Sequence, residues 1–576
     1  MLPPPDHSAC GVGFVVSTSP KHTRTVVKLA LSALERLEHR GGLGADGESS
    51  DGAGILAGIP WRLYRPWLVE RGVWGAAGEG TAVGMVFLPR DEGKRRLSRD
   101  LVEKALHDEG LAVVGWRPVP TRPDVLSASA ETHRPEIEQV FATSPQAGDA
   151  LERVLLLARR RIGRMLASQQ LIRRLDDLYL CSLSGRTIVY KGMLSSTLLP
   201  RFYEDLTDPD FVSHFAVFHR RFSTNTLPKW SLAQPMRMLA HNGEINTLSG
   251  NLAWTRAREP DLSHPIWGDR MSDLLPPIHG DSSDSGALDK MLEFLVRSGR
   301  SPFEALMILM PESYEHRLNK AGAAAGRGGT AGREPAAGQR DRTAEFYDYY
   351  SGVQEAWDGP AMVAFGDGDM VGACVDRNGL RPARYALSAS GILAVASEAG
   401  AVLDGEDVVE RGRLGPGQMI AVDLASGEVH RDEAIKRRIA AERPYGTWVQ
   451  QQRRSLGPGS FPEAPLDDET TLLRRQMACG YSAEDVDAII RPMAERGREP
   501  RFAMGNDAPL AILSSKPHTL YDYFAERFAQ VTNPPIDPLR ERLVMSLSMK
   551  LGQRGNLLVA QPEHARQVEP ASPVLN

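Results

Sequence analysis

Apolar and polar positions follow two spacings along this chain, and those spacings divide it into elements. The run Gly11-Val12-Gly13-Phe14-Val15-Val16 is β-branched and punctuated by glycine, which predicts a strand. Residues 24–40 place Val27, Leu31, Leu34 and Leu37 on one helical face, with Glu35, Arg36, Glu38 and Arg40 as its solvated side. Thr81 to Leu88 reads as a strand, residues 92–110 as a charged amphipathic helix, and residues 151–177 as another helix. Tyr179 to Tyr190 reads as a hairpin turning at Ser184-Gly185, with Cys181 as plain core. Strands follow at His214 to Phe222 and Met236 to Ala240, and then a helix over 281–297. From 361 to 425 short strands alternate with turns: Met362 to Phe365, Met370 to Val375, Gly391 to Ala396 and Gln418 to Val422. Cys374 lies in one of them as a buried position. From about residue 471 helical segments broken by Pro and Gly take over, one of them carrying Cys479.

At 576 residues the chain exceeds the roughly 250–300 that a single core supports. We expect a sheet-rich domain over 10–430, a linker over 431–470 that is rich in Pro, Gly and Ser from 443 onward, and a second domain over 471–576 that is incomplete. Residues 319–342 are rich in Ala, Gly and Arg with almost no large apolar side chains, the composition of a disordered surface insertion. A net charge of −5 is too mild to argue for nucleic acid or an anionic membrane as partner, and no apolar run approaches the ~18 residues of a span. The four cysteines, Cys10, Cys181, Cys374 and Cys479, are far apart and form no C-x-x-C pair, which argues against a disulfide framework and a zinc site. A cytoplasmic, reduced protein is the expectation.

Cys10 is the one cysteine that asks for chemistry. It sits behind nine residues that lack the apolar run of a signal peptide, and a strand starts directly after it. If those residues are removed, its freed α-amine, titrating at about 7.7–8.0, lies within reach of its own thiol and can act as base. The alternative is a small buried hydrophobe at the head of a strand. Gly41-Gly42-Leu43-Gly44 and Asp51-Gly52-Ala53-Gly54 lack both phosphate-loop spacings, and read as tight turns where backbone approaches a site. Arg220 and Arg221 are successive strand residues and must face opposite ways. An arginine on the inner face needs an anion, for which its planar fork suits a carboxylate; an ordinary ion pair serves equally well, and the strand argument leaves open which arginine does what. Asn242-Gly243 offers two neutral donors, the composition of an oxyanion hole and also of a β-turn. Asp284 is either part of a helix cap or a carboxylate facing an ammonium.

Together these segments resemble one family. "ACGVGF", "FHRRFSTNTLPKWSLAQPMRMLAHNGEINTL", "YYSGVQEAWDGPA", "DRNGLRPARY" and "TNPPIDPLRERLVMSL" are similar to the large chain of glutamate synthase, contiguous and in order from about Asp6 to the C-terminus. The resemblance implies an α+β fold: an N-terminal-nucleophile hydrolase αββα sandwich, then a linker and the beginning of an α/β central domain. It implies that a leader, residues 1–9, is removed to expose Cys10 as nucleophile. It further implies that Arg221 clamps the glutamine α-carboxylate, that Asn242 and Gly243 form the oxyanion hole, and that Asp284 meets the α-ammonium. The implied activity is the glutaminase half of the synthase, with ammonia passed on to 2-oxoglutarate. FMN and an iron–sulfur cluster are implied for a part of the enzyme outside this chain, and no cofactor for the chain itself. Implied partners are L-glutamine, 2-oxoglutarate in the complete enzyme, and an electron-donating small subunit or ferredoxin, with neither nucleic acid nor membrane. The 319–342 insertion departs from the family pattern. Two other readings are an amidotransferase serving a different acceptor, against which the lack of a phosphate-binding motif counts, and a catalytically silent glutamine-binding module.

Overall fold

The structure is a computed structural model that describes residues 10–19, 22–42, 50–73, 80–168, 170–172, 174–221, 229–279, 282–314, 341–403, 407–457, 468–496, 511–520, 523 and 549–571. The chain divides into two compact units, residues 1–312, 353–444 and 554–561, and residues 313–352, 445–553 and 562–576.

Two antiparallel sheets make the centre of the first unit. The larger runs in the order Val408–Arg413, Arg384–Ser388, Ile392–Ala396, Gly11–Ser17, Phe215–Arg220, Ala53–Gly58, Thr187–Gly192. The smaller runs Val429–Arg431, Met419–Asp423, Met370–Val375, Ala361–Gly366, Leu239–Gly243. Their facing side chains, among them Val12, Phe14, Val217, Ala240, Met362, Ala364 and Ala373, share one core. The outer faces are covered too. Helix Arg24–Arg36, capped by the Thr23 side chain, lays Val26, Val27, Ala30, Ala33 and Leu34 on the larger sheet. Helices Asp284–Arg297 and Pro302–Leu309 cover the smaller one, where Asp289 accepts from the Met238 N–H (2.8 Å) and Phe303 meets Phe365 edge-on. Burial on both faces explains why Gly11–Ser17 is apolar from Gly11 to Val16 instead of alternating. This is the αββα sandwich of an N-terminal-nucleophile hydrolase.

A third sheet, in the order Ala112–Pro118, Glu136–Thr143, Thr81–Leu88, Tyr179–Ser184, builds a separate core with helices Glu92–Asp108 and Gly148–Ser168. It corrects the expected 179–190 hairpin. Tyr179–Ser184 pairs with Thr81–Leu88, whereas Thr187–Gly192 pairs with Ala53–Gly58 in the larger sheet. The turn between them is pinned by Glu152, which accepts from the Ser184 hydroxyl (2.8 Å) and the Gly185 N–H (2.7 Å). Two adjacent strands are thereby sent into different sheets.

The expected linker also contains folded structure. Helix Asp432–Ala441 buries Ile435 and Ile439, and Lys436 reaches Glu312 (2.5 Å) and the Gly417 carbonyl (2.8 Å) within the first unit. Helix Tyr445–Gln452 belongs to the second unit, where Tyr445 packs on Phe346. Pro444 and Gly446 read as breakers, yet Pro444 only separates two helices and Gly446 lies inside the second, and the apolar residues of both keep helical spacing. In the second unit, helix Arg342–Ser351 presents Asp348 to Arg453 (2.8 Å) and Lys550 (3.1 Å), and Arg454–Leu456 pairs in parallel with Val568–Pro570. The predicted insertion lies outside the described residues except for Asp341, which caps that helix, and Arg342, which starts it. Residues 1–9 and the Pro-rich segment 532–540 lie outside them as well. No helix among the described residues is long and apolar enough to cross a membrane.

Candidate functional site

Strand pairing puts four sequence-distant segments at one end of the two sheets. Gly11 lies opposite Arg220, and Arg220 lies opposite Ala53. Cys10 leads into this row and meets the smaller sheet through Asn242. The Asn242 Nδ2 donates to the Cys10 carbonyl (2.9 Å), and the Cys10 N–H donates to Asn242 Oδ1 (3.3 Å). Asn242-Gly243 is not a turn: the two residues close a strand, opposite Met362 and Ala361. Gly243 has φ 146°, and a Cβ there would fall 1.7 Å from the Pro360 carbonyl oxygen, so only glycine fits.

The two arginines divide as alternate strand residues must. Arg220 is fully buried and donates to Asp51 Oδ1 (2.7 Å), the Gly52 carbonyl (3.2 Å) and Glu38 Oε1 (2.9 Å). Gly41 lies flat against its guanidinium, where a Cβ would be 1.8 Å from Cζ. The first part of the glycine-rich stretch thus makes room for a structural arginine; residues 43–49 lie outside the described residues. Arg221 sits at φ 94°, a conformation that costs a non-glycine residue roughly 1–3 kcal/mol. Its N–H is held by the Gly52 carbonyl (2.9 Å), its Nε lies 3.6 Å from Asp51 Oδ2, and its charge acts on the Cys10 sulfur. Asp51 therefore separates the two arginines and orients both.

Asp284 is the first residue of helix Asp284–Arg297, and Ser283, not Asp284, is the cap. Asp284 Oδ1 accepts from the Ser285 N–H (2.7 Å), and Oδ2 accepts from the Ile245 N–H (3.0 Å), tying the helix start to the chain just beyond Gly243. Behind Asn242, His241 Nδ1 pairs with Ser285 Oγ (2.9 Å), and the His241 carbonyl accepts from His219 Nε2 (3.2 Å) and Gln234 Nε2 (3.2 Å). Burial lowers both imidazoles, His219 to about 3, so both are neutral at physiological pH. The sequence reading missed Asp51, His219, His241 and Ser285 as supports. Asp51 had a signal, since an acid beside glycines and ahead of a strand needs a partner, but neither histidine had one.

Cys10 is partly buried, and burial pushes its thiol up to about 11. The charges of Arg221 and Arg381 oppose that rise, while Asp51 and Asp284 reinforce it. At pH 7 about one molecule in 10⁴ would carry the thiolate, so nucleophilic chemistry here requires a base at the sulfur. The site thus combines a protonated thiol, an amide donor, a strained arginine and a carboxylate. Among the described residues no group of three or more His, Cys, Asp or Glu could hold a metal ion. Cys181 and Cys374 are buried in separate strands with thiols raised to about 12, which does not fit the three or four thiolates of an iron–sulfur cluster.

Comparison with known proteins identifies the family of the chain. The model of the class-II glutamine amidotransferases matches residues 10–448, and that of the glutamate synthase central domain matches residues 474–576. The chain is 50% identical over 576 residues to ferredoxin-dependent glutamate synthase 2 of Synechocystis sp., covering 99% of this chain and 35% of that protein. It is 49% identical over 574 residues to the chloroplastic ferredoxin-dependent glutamate synthase of Oryza sativa, covering 99% and 34%. The ferredoxin-dependent glutamate synthase of Pyropia yezoensis is 45% identical over 576 residues, covering 99% and 36%. The chain spans about a third of the length of these relatives. It belongs to the class-II glutamine amidotransferases.

Proposed function

We propose that this chain releases ammonia from L-glutamine at Cys10 once residues 1–9 have been removed, and that the ammonia serves the amination of 2-oxoglutarate in a ferredoxin-linked glutamate synthase. The reciprocal hydrogen bonds between Cys10 and Asn242 carry this reading, because they hold the backbone nitrogen of the nucleophile and an oxyanion donor in one unit. With the leader gone that nitrogen is an amine still facing Asn242 Oδ1, ready to take the thiol proton directly or through a water. An amide NH₂ has two donors, so with one on the Cys10 carbonyl the other remains for substrate.

Glutamine binds with its α-carboxylate on Arg221 and its α-ammonium on Asp284. The sulfur attacks the side-chain amide carbon, and the negative charge on its oxygen is held by Asn242 Nδ2 and the Gly243 N–H. The ammonium at Cys10 returns its proton to the leaving nitrogen, and ammonia departs from a γ-glutamyl thioester. Water, deprotonated by the same amine, then cleaves the thioester to glutamate. FMN and an iron–sulfur cluster would supply electrons to the later reductive step; nothing in the glutaminase half runs through either. The relatives named for ferredoxin favour it over a nicotinamide nucleotide as the donor.

Ammonia release by the purified chain, with glutamine as the only substrate, tests this reading. Cys10→Ala should abolish release without lowering the melting temperature. Release that survives the substitution, or a wild-type chain that binds glutamine without turnover, would overturn it.

A further inference from the structure

Three arginines follow Met370–Val375 closely, two in the loop and one at the head of the next strand, and two of the three are accounted for. Arg377 grips Asp358 with two contacts (2.7 and 3.0 Å), and Arg384 is exposed at the start of a strand. Arg381 differs: its Nε is buried without a hydrogen-bond partner, and no hydrogen bond or ion pair engages its side chain among the described residues. The side chain is half-buried and its charge has no carboxylate beside it among those residues, whereas the Arg220 guanidinium, whose Nε is likewise unpaired, is held by Asp51 and Glu38 through its terminal nitrogens.

The position of Arg381 is built, not incidental. Asp376 organises the loop, with Oδ1 accepting from Ala361 N–H (3.0 Å) and Leu380 N–H (3.1 Å) and Oδ2 from Asn378 N–H (2.9 Å). The Asp376 N–H in turn donates to the Ala361 carbonyl (2.9 Å), and Ala361 is the strand partner of Gly243. The loop is therefore anchored one strand from the proposed oxyanion glycine, and Pro382 stiffens its exit. Four charged groups act on the Cys10 sulfur: Arg221 and Arg381 lower its thiol, Asp51 and Asp284 raise it. The Arg221 guanidinium lies 3.6 Å from Asp51, whereas no carboxylate engages that of Arg381 among the described residues; the Arg381 charge also reaches the neutral His241 ring.

We propose that Arg381 is the electrostatic positioning residue of the nucleophile, facing Cys10 from the loop after Met370–Val375 and holding the negative charge that forms on the sulfur as its proton leaves. The role rests on the glutaminase reading, but acts one step before glutamine reacts. Arg221 and Arg381 then have separate tasks, the first at the α-carboxylate and the second at the reacting atom.

The test uses the purified chain, with Arg381→Gln removing the charge and Arg381→Lys keeping it. Cys10 alkylation by iodoacetamide is followed against pH by peptide mapping, alongside glutamine turnover and thermal melting. Arg381→Gln should move the alkylation profile to higher pH, slow alkylation at least threefold at a fixed pH below the midpoint, and lower kcat with KM for glutamine little changed. Arg381→Lys should restore most of both. An unmoved alkylation profile in a well-folded Arg381→Gln overturns the proposal, as does a Lys variant no better than Gln, or an effect on KM alone. Alkylation does not require turnover, so a shifted profile in a chain that releases no ammonia would sink the glutaminase reading and leave Arg381 in place.

Discussion

Gly243→Ala is the most demanding substitution the site offers. The new methyl would start 1.7 Å from the Pro360 carbonyl oxygen, against a comfortable carbon–oxygen separation of about 3.3 Å. Pro360 directly precedes Ala361, the partner of Gly243, so relief requires the two strands to part by about 1.6 Å at this point. The backbone would also have to leave φ 146° or bear a strain of roughly 1–3 kcal/mol. A displacement of about 1 Å can cost on the order of 10²-fold in rate, and loss of one oxyanion donor costs about 10²–10³-fold. We therefore expect kcat for ammonia release to fall about 10²–10³-fold, with a smaller rise in KM for glutamine, because Arg221 keeps its own supports and Asp284 keeps the Ser285 N–H even if the Ile245 N–H shifts. Steady-state ammonia assays over a glutamine series, with a thermal melt to establish folding, give both values. A cooperatively folding Gly243→Ala that keeps kcat within an order of magnitude would refute the assignment of the Gly243 N–H to the oxyanion.

Arg221→Lys should raise KM for glutamine about tenfold or more, from the roughly 1.5–3 kcal/mol of one charge-assisted hydrogen bond, and an effect confined to kcat would count against the clamp. Arg220→Met removes the partner of Glu38 and Asp51, and chemical denaturation should register a loss of about 3–5 kcal/mol; a loss below about 1 kcal/mol would show that water replaces the pair. Because burial raises the Cys10 thiol to about 11, its thiolate is the minority form at neutral pH and grows with pH. In a chain still carrying residues 1–9, alkylation of Cys10 should accelerate about tenfold per pH unit from 7 to near 10, whereas a plateau around the ordinary thiol value of about 8.5 would contradict the buried setting.

The strands and helices around the nucleophile were legible because both faces of the central strands are buried, which leaves continuous apolar runs such as that from Gly11 to Val16. The alternation rule said that Arg220 and Arg221 would part, but only the family resemblance said which way. Glu38 and Asp51, which capture Arg220, lie 182 and 169 residues away, a distance no local pattern bridges. Asn242-Gly243 illustrates the same limit: as a dipeptide it favours a turn, and the pairing with Met362 and Ala361 overrides that preference. Composition misled at two places. Pro444 before the helix Tyr445–Gln452 and Gly446 within it concealed that element, and Ser184-Gly185 carried the signature of a hairpin turn while Glu152 directs its strands into separate sheets. Arg381 lay in a recognised motif, but nothing in that motif distinguishes it from Arg377, which the fold spends on Asp358.

The central claim is that Cys10 acts as an N-terminal residue. Treating the active chain with an electrophilic glutamine analogue, such as its γ-diazoketone, and mapping the adduct by intact-mass and peptide mass spectrometry tests it directly. The account predicts one adduct, on a peptide that begins with Cys10 and lacks Met1 to Ala9. An active chain that still carries Met1 to Ala9, or an adduct on Cys181, Cys374 or Cys479, would contradict it.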